Sequence, residues 1–192
     1  MSAASLREFM GTRPLLSGAE QTQPGEASRH PEPRPLAELA KPNSTEAPEG
    51  TSVTGPFVVD GSNLAYGAKG KRGKASLARL YTALEELRRQ HPGVEAVVVV
   101  DANFRHVVAD EERAEVDREI ADGVLHRVPS RTVGGADVYV LEIARRKSWT
   151  VVSNDGFGEH TDHHSWLSQP GRLLGAEEIA GMWVFKERRP SR

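Results

Sequence analysis

Four aspartates lie where the apolar pattern of the chain changes. Three of them come at the ends of apolar segments and the fourth opens a helical pattern: Asp60, Asp101, Asp155 and Asp137. Short segments rich in β-branched residues predict buried strands. In open α/β sheets, ligands bind in the loops at the carboxyl ends of the strands. We therefore expect these side chains to line one edge of a sheet, where a ligand would bind.

Carboxylates that converge in one cleft repel each other unless a cation neutralises them. Magnesium is the expected ion because it prefers hard oxygen ligands and keeps several bound waters. Such an ion can polarise a phosphoryl oxygen and lower the pKa of an attacking water. The pattern therefore predicts a magnesium site that acts on a phosphate. Two structural explanations stay open: Asp60 can cap a helix or close a turn, and Asp137 can stabilise a helix dipole.

A glycine-rich, basic segment at 67–74 follows the Asp60 motif and carries four cations: Lys69, Lys71, Arg72 and Lys74. Cations on a loop beside the candidate site suit a polyanion backbone. The segment is not a P-loop, because five residues instead of four separate Gly67 from Gly73, and Ala75 stands where Ser or Thr would hold magnesium. ATP binding is therefore not expected. A solvated basic loop without a ligand is the alternative.

Two other reactive patterns are weaker. The segment 160–164 contains three histidines, and imidazoles at helical spacing could hold a transition metal. No fixed metal-binding pattern is matched, and a surface helix start is the favoured interpretation. Ser62 lies beside Asp60 without the Gly-x-Ser-x-Gly motif of serine hydrolases, so serine catalysis is not expected.

The elements that must position these residues alternate between strand and helix. Strands are predicted at 57–59, 94–100, 124–128 and 149–153, with weaker candidates at 172–174 and 182–185. Helices are predicted from Leu77 to about His91, from Asp110 to Asp122, and from Asp137 to about Lys147. This alternation predicts an α/β fold with three layers and a mainly parallel sheet.

Composition and charge limit the remaining possibilities. The chain has no cysteine, which excludes disulfides, thiolate zinc sites and a cysteine nucleophile. No apolar run approaches the roughly 18 residues that a membrane span needs, so no membrane partner is expected. A cytoplasmic location is expected. The segment 53–192 contains twenty basic and twenty acidic residues. Nucleic-acid binding must therefore be argued from where the charges lie, since the net charge does not indicate it.

The domain organisation follows from the same composition. The segment 1–52 has seven prolines and no sustained apolar periodicity, which predicts a disordered tail rich in Pro, Glu and Ser. One domain is expected at 53–187 and a frayed, basic C-terminal tail at 188–192. Whether the chain forms a homo-oligomer is left open.

Several of these motifs together resemble the PIN-like NYN ribonucleases, and in particular the catalytic domain of the Regnase-type CCCH zinc-finger endoribonucleases. The motifs are Val59-Asp60-Gly61-Ser62-Asn63, Pro129-Ser130-Arg131-Thr132-Val133-Gly134-Gly135, Asp137 at the start of a helix, and Val151-Val152-Ser153-Asn154-Asp155. The similarity covers about residues 56–185. Four motifs in the right order at compatible spacing are far more specific than any one of them.

The resemblance implies a PIN-like α/β/α sandwich and magnesium-dependent endonucleolytic cleavage of single-stranded or loop RNA, with manganese as an alternative ion. By the same resemblance, Asp60, Asp137 and Asp155 are metal ligands and Asn63 orients the metal-bound water. Arg131 is expected to contact phosphate, for which a guanidinium is well shaped. Arg105, which follows the Asp101 motif, is a further candidate for RNA binding.

The chain departs from the Regnase pattern at three points. Ala136 and Glu159 stand where that family has aspartates, and the zinc finger is absent. Asp101 or Glu159 is a candidate to complete the metal site.

The main alternative is therefore a catalytically weak RNA-binding or regulatory PIN-like module. A phosphatase or nucleotide hydrolase fits less well, because no phospho-aspartate or P-loop motif is complete.

Overall fold

The computed structural model describes residues 55–66 and 73–191. The tail predicted at 1–52 and the cations Lys69, Lys71 and Arg72 lie outside the described residues. The strands are β1 (Phe57–Asp60), β2 (Ala96–Val100), β3 (Leu125–Arg127), β4 (Thr150–Val152), β5 (Leu173–Ile179) and β6 (Met182–Glu187). The α-helices are α1 (Gly61–Ala65), α2 (Leu77–Gln90), α3 (Phe104–Val107), α4 (Arg113–Ala121) and α5 (Gly135–Lys147). Short 3-10 helices span Asp110–Glu112, Gly158–His160 and Ser165–Ser168.

The six strands form one sheet in the order β3-β2-β1-β4-β5-β6. All neighbouring pairs from β3 to β5 are parallel, and β6 is antiparallel to β5. The predicted three-layer α/β fold with a mainly parallel sheet is therefore confirmed. Because β1 is central and parallel to both of its neighbours, its carboxyl end meets those of β2 and β4 at one edge.

Two apolar cores lie on opposite faces of the sheet. Phe57 and Val59 pack in the core that contains the leucines of α2, whereas Val58 packs in the core that contains the apolar residues of α5. Alternate residues of a strand point to opposite faces, so a central strand with helices on both faces must be apolar at every position. This requirement explains why β2 is an almost continuous run of valine and why the first three residues of β1 are apolar.

Local signals fix the ends of the helix that covers one face. Ser76 accepts a hydrogen bond at its hydroxyl from the Arg79 N–H (3.2 Å) and so caps α2. Leu80, Leu84 and Leu87 then repeat at helical spacing and are fully buried. Each such leucine contributes about 2 kcal/mol by burial. The helix predicted at Asp110 to Asp122 consists of a short 3-10 turn followed by α4.

The C-terminal part of the chain packs against the sheet. The two weak strand candidates form the hairpin of β5 and β6. In the segment expected to be a frayed tail, the Arg188 N–H donates to the Leu173 carbonyl (2.9 Å) and the Ser191 N–H to the Gly156 carbonyl (3.0 Å). A β-carbon at Gly156 would overlap the Ser191 carbonyl oxygen, so a glycine is needed for this approach. Among the described helices, none is long and apolar enough to cross a membrane.

Candidate metal centre

Asp60 is the last residue of β1 and is 3% exposed. One carboxylate oxygen, Oδ1, accepts the backbone N–H of Asn63 (3.0 Å), and the other, Oδ2, accepts the hydroxyl of Ser153 (2.8 Å). The first of these bonds caps α1, so the capping role left open by the sequence is real. The second bond comes from the end of β4. Asp60 is thus fixed between two adjacent parallel strands.

Burial raises the pKa of Asp60 to about 7, which is well above the ordinary value. The hydrogen bonds from Asn63 and Ser153 favour the charged form and partly oppose this shift, whereas the charges of Asp137 and Asp101 raise the pKa further. Burial disfavours a carboxylate because it removes water, and neighbouring carboxylates add repulsion. A divalent cation would reverse both effects, so the environment of Asp60 fits a cation ligand.

Asp155 follows β4 and is linked to Asp60 through one hydroxyl. Ser153 Oγ donates to Asp60 and accepts the backbone N–H of Asp155 (3.0 Å). The Asp155 Oδ1 oxygen accepts the backbone N–H of Phe157 (2.7 Å), which fixes the carboxylate at the start of the following turn. Sequence reasoning missed the role of Ser153, although its place in the Ser-Asn-Asp motif was a usable signal.

Asn63 connects the same two loops from the other side. Its Oδ1 oxygen accepts the backbone N–H of Asn154 (3.0 Å). The Asn154 amide in turn donates to the Ala176 carbonyl (2.6 Å) and accepts the Ala176 N–H (2.8 Å). The structure therefore gives Asn63 a positioning role between α1 and the loop after β4. Its predicted role toward a metal-bound water stays a prediction.

A second group of potential ligands meets at the start of α5. Ligand atoms of Asp137, Glu159 and His160 all lie within 4.8 Å of one another. Asp137 is in the first turn of α5, which begins after Gly134 at φ 82°, and the other two residues lie on one 3-10 helix. Asp137 also belongs to the group of carboxylates around Asp60, because its charge raises the pKa of Asp60. Glu159, one of the two candidates to complete the metal site, therefore lies in this second group, and its role as a ligand stays a prediction.

The histidine-rich segment was expected to be a surface helix start, and a short 3-10 helix indeed spans Gly158–His160. The sequence did not predict that the first histidine of this segment also lies beside Asp137 and Glu159. A single histidine among several gives no periodic signal, so only its position directly after Glu159 pointed to the centre.

Asp101 is held next to the first turn of α5. Its Oδ1 oxygen accepts the backbone N–H of Ala136 (3.2 Å), and its own N–H donates to the Ser62 hydroxyl (2.8 Å). Ala136 is 3% exposed and its methyl group packs in the core beneath α5. A carboxylate from the end of β2 therefore lies beside the position at which the Regnase pattern has an additional aspartate.

The predicted phosphate-binding cations are not all equally available. Lys74 and Arg131 are exposed, and Arg131 lies in a loop at φ 66°. The Arg105 Nε atom donates to both oxygens of Asp117 (2.9 and 2.7 Å), so this guanidinium already has a carboxylate partner. An RNA contact by Arg105 would compete with that ion pair. RNA binding by these cations stays a prediction.

Two cavities lie on the same side of the sheet as α2. One of about 310 Å³ is lined by Tyr66, Arg79 and Asn154 among others. The other, about 680 Å³, lies between the end of α2 and the hairpin of β5 and β6. None of the predicted site residues that the structure describes line either cavity.

The model of the Zc3h12a-like ribonuclease NYN domain family matches residues 54–174, which is more than half of the chain and includes all four aspartates. The chain belongs to this family. No curated protein matches the chain. The residues at 54–174 thus form an NYN domain that carries its buried Asp60 and its Asp137 group at the carboxyl edge of the sheet.

Solved structures with a similar fold include two of the nuclear proteinaceous RNase P 2 (PRORP2) of Arabidopsis thaliana. One has a TM-score of 0.56 and 20% sequence identity, and it covers 71% of this chain and 30% of its own. The other has the same score and identity and covers 72% of this chain and 31% of its own. The NYN protein therefore spans less than a third of the length of these structures, and at this identity the likeness shows the fold.

Proposed function

We propose that this NYN domain is a magnesium-dependent endoribonuclease that hydrolyses phosphodiester bonds in single-stranded or loop RNA. The observation that supports the proposal best is the environment of Asp60. This carboxylate is buried at the carboxyl edge of the sheet, and the charges of Asp137 and Asp101 raise its pKa. A protein keeps repelling carboxylates together at the expense of stability, and perturbed carboxyl groups of this kind are typical of functional sites. Family membership supplies the substrate class.

The donor set is suited to a hard divalent cation. Asp60, Asp137 and Asp155 would hold the ion, with Glu159 as a further oxygen ligand. Carboxylate oxygens are the ligands that magnesium prefers. When bound, a magnesium ion would polarise a phosphoryl oxygen and lower the pKa of an attacking water.

The chain's own residues prepare this site and hold the substrate. Ser153 and the backbone of Asn63 keep Asp60 in place in the absence of an ion. Exposed Lys74 and Arg131 would contact the phosphates on either side of the bond that is cut. A guanidinium can hold a phosphate through two parallel hydrogen bonds, whereas a lysine acts as a point charge. Weak sequence preference is expected from such backbone contacts.

The test measures how the full chain cleaves an internally labelled RNA, with magnesium or with a chelator. The RNA contains a hairpin loop and a single-stranded arm. We expect internal cuts that require magnesium, and a loss of at least about a hundredfold in Asp60→Asn and in Asp155→Asn. The matched control is Glu111→Gln, because Glu111 is exposed and belongs to a surface 3-10 helix. Undiminished cleavage in both aspartate variants would refute the assignment of the site.

A second candidate is an RNA-binding module that does not cut. The observation in its favour is Ala136, whose buried methyl group occupies a position at which the Regnase pattern has a carboxylate. Such a module would bind the labelled RNA with a steep salt dependence and release no product with magnesium or manganese. The same cleavage assay, combined with a binding titration at two salt concentrations, distinguishes the two candidates.

A further inference from the structure

We propose that His160 supplies an imidazole nitrogen to the metal centre, and that the centre consequently binds manganese more tightly than magnesium. The inference rests on the metal centre of the proposed function and adds a ligand that the aspartate motifs do not contain. It concerns one nitrogen atom, Nε2 of His160, and the two carboxylates that face it.

The three side chains are close enough to share one ion. Ligand atoms of Asp137, Glu159 and His160 lie within 4.8 Å of one another. Two ligand atoms on opposite sides of an ion with bonds of about 2.1 Å are about 4.2 Å apart. Side-chain movements of less than about an ångström would bring all three atoms to bonding distance.

The nitrogen itself makes no hydrogen bond within the described residues. Nε2 of His160 is buried, and Oε1 of Glu159 lies 3.5 Å from it. A buried polar atom without a partner costs free energy, so such atoms are rare and call for an explanation. An ion between the nitrogen and the two carboxylates would satisfy all three groups at once.

The surroundings hold the imidazole in place. The His160 backbone N–H donates to the Phe157 carbonyl (2.9 Å), and its ring lies 6.5 Å from the Phe157 ring and 6.3 Å from the His164 ring. His164 is engaged elsewhere, because its Nδ1 atom accepts the indole N–H of Trp166 (3.2 Å). His160 is therefore the histidine of this segment that is directed toward the carboxylates.

The donor set determines which ion is preferred. Magnesium favours oxygen ligands and water, whereas imidazole nitrogen favours first-row transition ions. Manganese accepts oxygen ligands as magnesium does and gains more from a nitrogen ligand. An all-carboxylate centre would discriminate weakly between the two ions. One imidazole ligand raises the affinity for manganese relative to the affinity for magnesium.

The experiment measures metal binding without RNA. The full chain is stripped with a chelator and titrated calorimetrically with manganese chloride or magnesium chloride, as wild type, His160→Gln and His163→Gln. Exposed His163, three residues away on the same segment, is the matched control. We expect His160→Gln to weaken manganese binding at least about tenfold and magnesium binding less than about threefold, while His163→Gln changes neither.

A spectroscopic measurement tests the bond directly. Electron spin echo spectra of bound manganese should show coupling to a nitrogen nucleus in the wild type and in His163→Gln, and should lose it in His160→Gln. Retained magnesium binding shows that His160→Gln has kept its fold, and His160→Asn serves as a second variant. Equal weakening of both ions, unchanged manganese affinity, or nitrogen coupling that survives in His160→Gln would each overturn the inference.

The outcome is separable from that of the proposed function. A wild-type chain that binds manganese through nitrogen but leaves RNA intact would contradict the nuclease proposal and support the role of His160. A chain that cuts RNA and binds manganese equally well with or without His160 would do the opposite.

Discussion

Replacing Asp60 with asparagine should stabilise the metal-free protein at pH 8 and leave its stability almost unchanged at pH 5. The pKa of Asp60 rises from 3.8 to about 7 in the folded protein, mainly because the group is buried. The folded chain therefore holds a proton that the unfolded chain releases between these two values. Consequently, the contribution of Asp60 to stability falls as the pH rises from about 4 to about 7, and is constant above that range.

The magnitude follows from the size of the shift. Each pKa unit corresponds to about 1.4 kcal/mol, so the shift to about 7 costs the folded state roughly 4 kcal/mol at pH 8. Asparagine keeps an oxygen acceptor for the Asn63 N–H but loses the acceptor for the Ser153 hydroxyl, which costs about 1 kcal/mol. We therefore expect Asp60→Asn to be about 3 kcal/mol more stable at pH 8 and less than about 1 kcal/mol more stable at pH 5.

The assay is urea denaturation of both proteins in chelator at the two pH values, followed by circular dichroism. Glu111→Gln is the control for the exchange of a carboxylate for an amide at an exposed position, and its stability should stay within about 0.5 kcal/mol of the wild type. An Asp60→Asn variant that is less stable than the wild type at pH 8, or equally stabilised at both pH values, would refute the reasoning from burial and repulsion.

Three further predictions use the same protein. Addition of magnesium or manganese should raise the melting temperature of the wild type and not that of Asp60→Asn, as measured by differential scanning fluorimetry; equal shifts in both would place the ion elsewhere. Ser153→Ala should lower stability by about 1 to 2 kcal/mol and weaken metal binding, because it removes the bond to Asp60 and the acceptor for the Asp155 N–H, whereas the exposed Ser168→Ala should do neither. Gly156→Ala should release the C-terminal segment near Ser191, detected as faster proteolysis there; unchanged proteolysis would show that the contact adds no order.

Local patterns in the sequence determined the elements and the positions of the carboxylates within them. Continuous apolar runs such as Val97–Val100 identify strands that are buried on both faces, and the leucine repeat from Leu77 identifies the helix that covers one of them. Since the carboxyl ends of parallel strands meet at one edge, the strand assignments alone predicted that Asp60 would lie at a ligand-binding edge. The motifs that resemble the NYN ribonucleases are local as well.

The tertiary structure decided which groups meet across long stretches of chain. Ser153 reaches Asp60, Asp101 reaches the N–H of Ala136, and His160 reaches Asp137, and none of these pairs has a sequence spacing that predicts contact. Arg105 was expected to bind RNA and pairs with Asp117 in the structure. The physical reason is that hydrogen bonds and ligand contacts act over about 3 Å, whereas the sequence constrains distance only within one element. The order of the strands brings distant residues within that range, and that order is a property of the folded sheet.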